Sequence, residues 1–303
     1  MNNRPVLVDT DPGIDDAVAL LVLWRHRSLE TKGILASYGN VPLCMTEENA
    51  RRITKLFEWD IPVWTGASVP LSGRSGKRAD YIHGEDGLAG LGKNLTASPA
   101  MPLPEGQDGI EAAYRQICKL GTVDYISLGP LTNLALLARR HPDVWEHIGR
   151  VVTMGGGIDT GNITGDAEFN IYCDAEAAAE VFKNAPELWL APLNITVPTA
   201  FTMEEIARIT AGGGKLRTVF RTLLETNYKN CTEHGEPGST MHDAVAVLLY
   251  LYPDLFETKR CGIDVDCSKE KYGKTTVTAA RQNILLPLKA DSSILLERIA
   301  ECL

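Results

Sequence analysis

Long apolar runs are missing from this chain of 303 residues. No window of about 18 consecutive apolar residues occurs, so no membrane span is expected. A basic surplus is missing too. The formal net charge is −9, which disfavours a nucleic-acid or anionic-membrane surface, because both want a basic patch. The start, MNNRPVLVD, has no apolar core of the secretory kind and goes straight into a strand pattern. No CxxC pair exists. The cysteines (Cys44, Cys118, Cys173, Cys231, Cys261, Cys267, Cys302) are odd in number and scattered, a pattern of reduced thiols that predicts a cytoplasmic protein. Low-complexity segments and tandem repeats are also absent. What remains is 44% hydrophobic and 23% charged, ordinary for a globular chain with a large core. The length suits one α/β domain spanning 1–303.

Apolar strand-like runs alternate with helical patterns. VLV (6–8) leads through a turn into DDAVALLVLWRH. KGILASYG (32–39) reads as a strand and TEENARRITKLFEW (46–59) as a helix. VDYISLG (123–129) reads as a strand before the helix PLTNLALLARRHP. RVVTMGGG (150–157) and ELWLAPLNIT (187–196) read as strands around the helix DAEAAAEVFKNA (174–185). This alternation predicts an α/β fold with a mostly parallel sheet covered by helices. The stretches 66–110 and 225–241 read as long loops, which in a compact domain are functional or mobile.

The stretch VLVDTDPGIDDA places Asp9, Asp11, Asp15 and Asp16 within eight positions. Like charges that close repel, and burial worsens it. Alternation at the strand end puts Asp9 and Asp11 on one side, and Pro12-Gly13 turns the helix start back to face them. Carboxylates gathered without a basic neighbour suggest a hard divalent cation with oxygen ligands. The rival is that Asp15 and Asp16 are first-turn acids and the other two are solvated. An EF-hand fails, since Gly13 and Leu20 occupy its fifth and twelfth positions. The DxD after a strand also admits a magnesium phosphohydrolase with Asp9 as nucleophile, although Gly13 breaks that pattern. MGGGIDTG (154–161) is not G-x-G-x-x-G, so a dinucleotide site is not expected.

DAVALL (16–21) and DAVAVL (243–248) nearly repeat. Both Asp16 and Asp243 begin apolar helices, where the dipole favours an anion, and both can point into one cleft at the carboxyl edge of the sheet. Asn162, Glu168 and Asn170 follow the glycine turn, and Asn40 follows a strand. Amides and a carboxylate clustered so suit sugar hydroxyls, or form an ordinary polar loop. His242, beside Asp243, can protonate a leaving group near neutral pH. The helix end lowers its pKa and nearby acids raise it, two opposed effects. His83, in a loop, can reach a substrate. His26, His141, His147 and His234 read as surface or loop residues.

Together these segments resemble the inosine-uridine nucleoside hydrolase family. DTDPGIDDA matches its N-terminal signature, and SYGN (37–40), IHGEDGL (82–88), SLGPLTNLA (127–135), VVTMGGG (151–157), GNITGDAEFNIYCDAEAA (161–178) and MHDAVAV (241–247) follow in the family's order and spacing. The resemblance implies a single-domain, doubly wound, Rossmann-like fold and a calcium enzyme that cleaves the N-glycosidic bond of ribonucleosides. By matching positions, Asp11, Asp16, Asp243 and the Leu128 carbonyl resemble the calcium ligands. Asp11 resembles the base that activates the metal-bound water, and His242 the acid for the departing base. Asp15, Asn40, Asn162, Glu168 and Asn170 resemble ribose contacts, with Met154 lining the pocket and Asp9 in support. The resemblance further implies a homodimer or homotetramer and a role in nucleoside salvage. Base selection is expected in mobile loops near 72–90 and 225–241, with Tyr228 and His234 as further candidates. A non-catalytic nucleoside binder is the alternative of a different class; it would need neither Asp11 beside calcium nor His242 beside Asp243.

Overall fold

The computed structural model describes residues 4–73 and 77–303. Its first strand, Val6–Thr10 (β1), is buried at every position, as a parallel strand covered on both faces must be. Helix Ile14–Arg25 (α1), strand Thr31–Ala36 (β2), helix Leu43–Leu56 (α2) and strand Val63–Thr65 (β3) follow. Next come helices Asp80–His83 (α3) and Gly109–Leu120 (α4), strand Val123–Ser127 (β4), helices Thr132–Arg140 (α5) and Val144–His147 (α6), and strand Ile148–Met154 (β5). Helices Phe169–Cys173 (α7) and Ala175–Asn184 (α8) precede strand Leu188–Ala191 (β6) and helix Leu193–Thr196 (α9). Strands Ala200–Phe201 (β7) and Ser239–Thr240 (β8) form a small ribbon flanking helices Met203–Ile209 (α10) and Lys215–Glu233 (α11). Helix His242–Leu251 (α12), strands Phe256–Val265 (β9), Thr275–Thr278 (β10) and Ile284–Ala290 (β11), and helix Ser292–Ala300 (α13) complete the chain.

The nine-stranded sheet has the order β10-β9-β11-β6-β5-β4-β1-β2-β3. From β11 to β3 neighbouring strands run parallel, while β9 and β10 are antiparallel. The winding leaves β1 towards β2 and β3, then restarts at β4 on the other side and proceeds to β5 and β6. Connections from β1 and β4 therefore diverge, and that switch point opens a crevice at the carboxyl ends of the strands.

Side chains of β1 alternate between the two faces. Val6 and Val8 pack with residues of α1, α2 and α12 in one core. Leu7 packs with α4, α5 and α8 in the other. Both α1 and α12 are buried all round, from Ile14 to Leu23 and from Asp243 to Leu249, which explains why they read as apolar on every face.

Three expectations need correction. The stretch 225–241 is not one loop: α11 continues through Glu233. Its buried stripe is Phe220, Leu223, Leu224, Asn227 and Cys231, at helical spacing, but Asn227 and the exposed polar residues between hide it. Asn227 is buried because its amide donates to Ser239 Oγ and the Thr240 carbonyl. The strand expected over 187–196 stops at Ala191, because Pro192 has no N–H for the ladder and caps α9 instead. The third concerns Asp9 and Asp11, which serve different surroundings as described below. Of the loop expected at 72–90, residues 74–76 lie outside the described residues, and 80–83 form α3.

Candidate active site

The crevice between β1 and β4 is built around the Pro12-Gly13 turn. Thr10 and Asp16 meet through their side chains, and the Gly13 N–H donates to Asp16 Oδ2 at 2.9 Å, so the helix start closes back on the strand end. Asn40, just after β2, holds two acids at once. Its N–H donates to Asp11 Oδ2 at 2.7 Å, and its side-chain amide to the Asp11 carbonyl at 3.1 Å and to Asp16 Oδ2 at 3.0 Å. Gly39 and Gly129 wall in Asp11: a Cβ on either would sit within 2.9 Å of its Cγ. Asp9 faces away. Its carboxylate accepts from Tyr125 Oη at 2.9 Å and Asn133 Nδ2 at 2.8 Å, on the α5 side of the sheet. The strand's alternation sends Asp9 with Leu7, while Asp11 lies past the strand's end.

Asp15, Asp16 and Asp243 each offer an oxygen, all within 4.8 Å of one another. Packing of α12 on α1 brings Asp243 there, and its N–H lies 3.4 Å from Asp15 Oδ2. Asp11, Asp15, Asp16 and Asp243 are 1%, 6%, 0% and 4% exposed. Burial, then mutual repulsion, pushes the carboxyls of Asp11 and Asp243 well up. Asp15 rises to about 7 for the same reasons. Asp16 is raised mainly by burial, against hydrogen bonds from Thr10 and Gly13 that hold it down. Burial also lifts Asp9 to about 7. Clustered buried acids in this state fit a cation with oxygen ligands, which would replace repulsion by attraction.

Above these acids opens a cavity of about 710 Å³. Asp15, Asn40, His83, Leu128, Met154, Asn162, Glu168, Asn170, His242 and Asp243 all line it. Asp11 and Asp16 do not line it themselves, but Asn40, which does, bonds both. On one wall Glu168 caps α7, accepting from the N–H groups of Asn170, Ile171 and Gly156 at 2.8, 3.0 and 2.9 Å. Asn162 Oδ1 accepts from the Phe169 N–H at 2.9 Å. Asn170 donates to the Leu128 carbonyl at 2.7 Å. The glycine turn, α7 and β4 are thereby tied into one rigid surface.

The opposite wall carries two histidines of different kinds. His83 Nδ1 accepts from the Ile14 N–H at 3.1 Å, so its hydrogen sits on Nε2. Burial, helped by His242, depresses its pKa to about 3, leaving a neutral donor. His242 Nδ1 lies 2.8 Å from Thr196 Oγ1 and its Nε2 lies 3.5 Å from Glu236 Oε2. Burial pulls the His242 pKa down, but Glu236, Asp15 and Glu168 outweigh it and the net shift is upward.

Comparison with known proteins places this geometry. The family described as inosine-uridine preferring nucleoside hydrolase matches residues 6–296. The chain belongs to that family. Membership makes it an N-glycosyl hydrolase of nucleosides. The pyrimidine-specific ribonucleoside hydrolase RihA of Escherichia coli is 36% identical to it over 282 residues, 90% of this chain and 88% of that one. Among solved structures, a plant nucleoside hydrolase and a purine-preferring ribonucleoside hydrolase from Gardnerella vaginalis each superpose with a TM-score of 0.91 at 24% identity, over 99% of this chain and 98% of theirs. These confirm the doubly wound fold. In this hydrolase the residues that sequence reasoning missed are the partners of His242. Thr196 belongs to a segment read as strand, and Glu236 to a loop with no distinguishing pattern. Tyr81 also went unassigned; its ring meets that of His234, one of the base-contact candidates, at 4.9 Å, and both line the cavity.

Proposed function

We propose that this hydrolase cleaves the N-glycosidic bond of ribonucleosides to free base and ribose, with calcium held at the acid cluster. One observation carries the reading: buried acids and a histidine that can donate a proton face each other across a single cavity. Asp11, Asp16, Asp243 and the Leu128 carbonyl would hold the ion, with Asp15 beside them. The bound ion would supply an anchor for the attacking water and for the ribose 2′ and 3′ hydroxyls.

Breaking the C1′–N bond builds positive charge on the sugar. The chain therefore needs placement more than Lewis acidity. Asp11, fixed by Asn40 and two glycines, takes a proton from the water. Asp15, Asn40, Asn162, Glu168 and Asn170 bind the ribose, and Met154 packs beneath it. His83, locked as a neutral Nε2 donor, contacts the substrate. His242 delivers a proton to the leaving base, which departs poorly as an anion. The phosphohydrolase alternative loses support because Asp9 is engaged by Tyr125 and Asn133 and does not line this cavity. The name of the RihA relative adds pyrimidine ribonucleosides to the substrates to test first. Seven free thiols, four of them buried, suit a reducing cytoplasm.

Ribose release from uridine, cytidine, inosine and adenosine, without phosphate, tests this. Chelation should abolish release and calcium should restore it. Release untouched by chelation would refute the metal assignment.

A further inference from the structure

One half-buried carboxylate in the cavity, Glu236, raises the His242 pKa but makes no contact with substrate in this mechanism. Glu236 follows α11 and lines the cavity beside His242. Its Oε2 is buried without a hydrogen bond of good geometry among the described residues, although His242, Thr240 and Cys231 lie near enough to outweigh burial and hold the carboxyl below its usual value. Leaving such an oxygen unsatisfied is costly, so the arrangement is built for a donor that arrives from outside. His242 Nε2, at 3.5 Å, is too far to satisfy it fully. A carboxylate only accepts, so the ring nitrogen facing it carries hydrogen in either charge state of the ring. Thr196 meanwhile engages the other ring nitrogen. The wall thus presents an N–H donor and a carboxylate acceptor side by side.

Nucleobases differ in whether they complement that pair. Uracil shows a carbonyl oxygen beside its ring N–H. Cytosine shows ring N3 beside its amino group, and adenine N7 beside its amino group. Guanine and hypoxanthine show two acceptors there, N7 and O6. A purine protonated at N7 by His242 would then point O6 at the Glu236 carboxylate, with no proton between them.

We propose that Glu236 and His242 form a base-reading pair that accepts uracil, cytosine and adenine and rejects 6-oxopurines. The inference rests on the N-ribohydrolase reading. It assigns Glu236 to binding of the leaving base, accepting its N–H while His242 donates to the neighbouring acceptor.

The test measures kcat/KM for uridine, cytidine, adenosine, inosine and p-nitrophenyl riboside, in the natural protein and in Glu236→Gln. The natural protein should prefer uridine, cytidine and adenosine over inosine by at least about tenfold, as a site with unpaired polar groups rejects a mismatched edge. Glutamine keeps the size and brings an amide N–H that can face O6. In Glu236→Gln the uridine-to-inosine ratio should fall by about tenfold or more, with the inosine value itself rising. Adenosine and inosine are nearly isosteric, so their comparison in the natural protein needs no variant. Inosine cleaved as well as adenosine, or a ratio unmoved in Glu236→Gln, would overturn the pair. Those outcomes leave the hydrolase reading intact wherever nitrophenyl riboside is still cleaved. If the natural protein cleaves none of the five, the N-ribohydrolase reading falls, and the pair with it.

Discussion

Gly129→Ala should cripple turnover while sparing the fold. Gly129 follows β4 at the switch point, and its φ is not left-handed, so alanine meets no backbone strain. What it meets is Asp11. The new Cβ would lie 2.9 Å from Asp11 Cγ, and closer still to Oδ1. Carbon atoms in comfortable contact sit about 3.5–4.0 Å apart, so the carboxylate must retreat by about 0.6–1.1 Å. It cannot do so freely, because Asn40 holds the other oxygen and Gly39 closes the far side. A displacement near 1 Å at a reacting group lowers rate by roughly 10²-fold. Gly213→Ala, with open space at its Cβ, is the matched control. The assay is kcat for uridine by ribose release, beside a thermal melt and calcium titration of both variants. We expect about 10²-fold lower kcat in Gly129→Ala with little change in melting temperature. Turnover equal to that of Gly213→Ala would refute the placement of Asp11 at the chemistry.

Removing the proton donor should separate substrates by leaving group. His242→Ala should lose about 10²–10⁴-fold on uridine and far less on p-nitrophenyl riboside, whose leaving group needs no proton; equal losses would sink the assignment. Chelated protein should gain stability as pH falls from 8 to 6.5. Asp9 and Asp15 have folded-state pKa values raised to about 7 from 3.8, so the folded chain holds protons that the unfolded chain releases, and that stability is lost as pH rises through 7. Below about 6.5 the trend should weaken, since His83, depressed to about 3, charges only on unfolding. Saturating calcium should flatten the dependence, and a melting temperature that drops between pH 8 and 6.5 after chelation would contradict it. Asn49 donates to the carbonyls of Pro12 at 3.1 Å and Asp86 at 2.7 Å, clamping the acid turn to the His83 segment. Asn49→Ala should destabilise by about 1–3 kcal/mol and raise KM for uridine; a variant with both melting temperature and KM unchanged would show that the clamp does not position the site.

Much of the site was legible because it is local. The sequence VLVDTDPGIDDA carries its own geometry: an apolar strand, a Pro-Gly turn, and acids at the first turn of a helix, linked by bonds that span six residues or fewer. Asn40, Glu168 and Asn170 stood out for the same reason, as polar residues just past strand or turn signals. The echo of DAVALL and DAVAVL pointed to Asp16 and Asp243 before their helices were known to touch. Loop ends were harder. The stripe of α11 includes a buried asparagine, so its last turns looked like loop.

Periodicity and turn chemistry act within a few residues, so the order of residues alone reveals the acids, amides and turns, and an α/β sheet that gathers them at strand ends. Long-range packing sets what each one faces. It turned Asp9 to Tyr125 and Asn133, tied Asp11 and Asp16 to Asn40 at the cavity wall, and drew Asp15 into the closest cluster with Asp243. It also set Thr196 and Glu236 on the two nitrogens of His242. Those relations join residues from 6 to 228 positions apart, and they follow from how α1, α9, α11 and α12 pack. Packing depends on burying apolar surface over the whole molecule, which no short stretch of chain encodes.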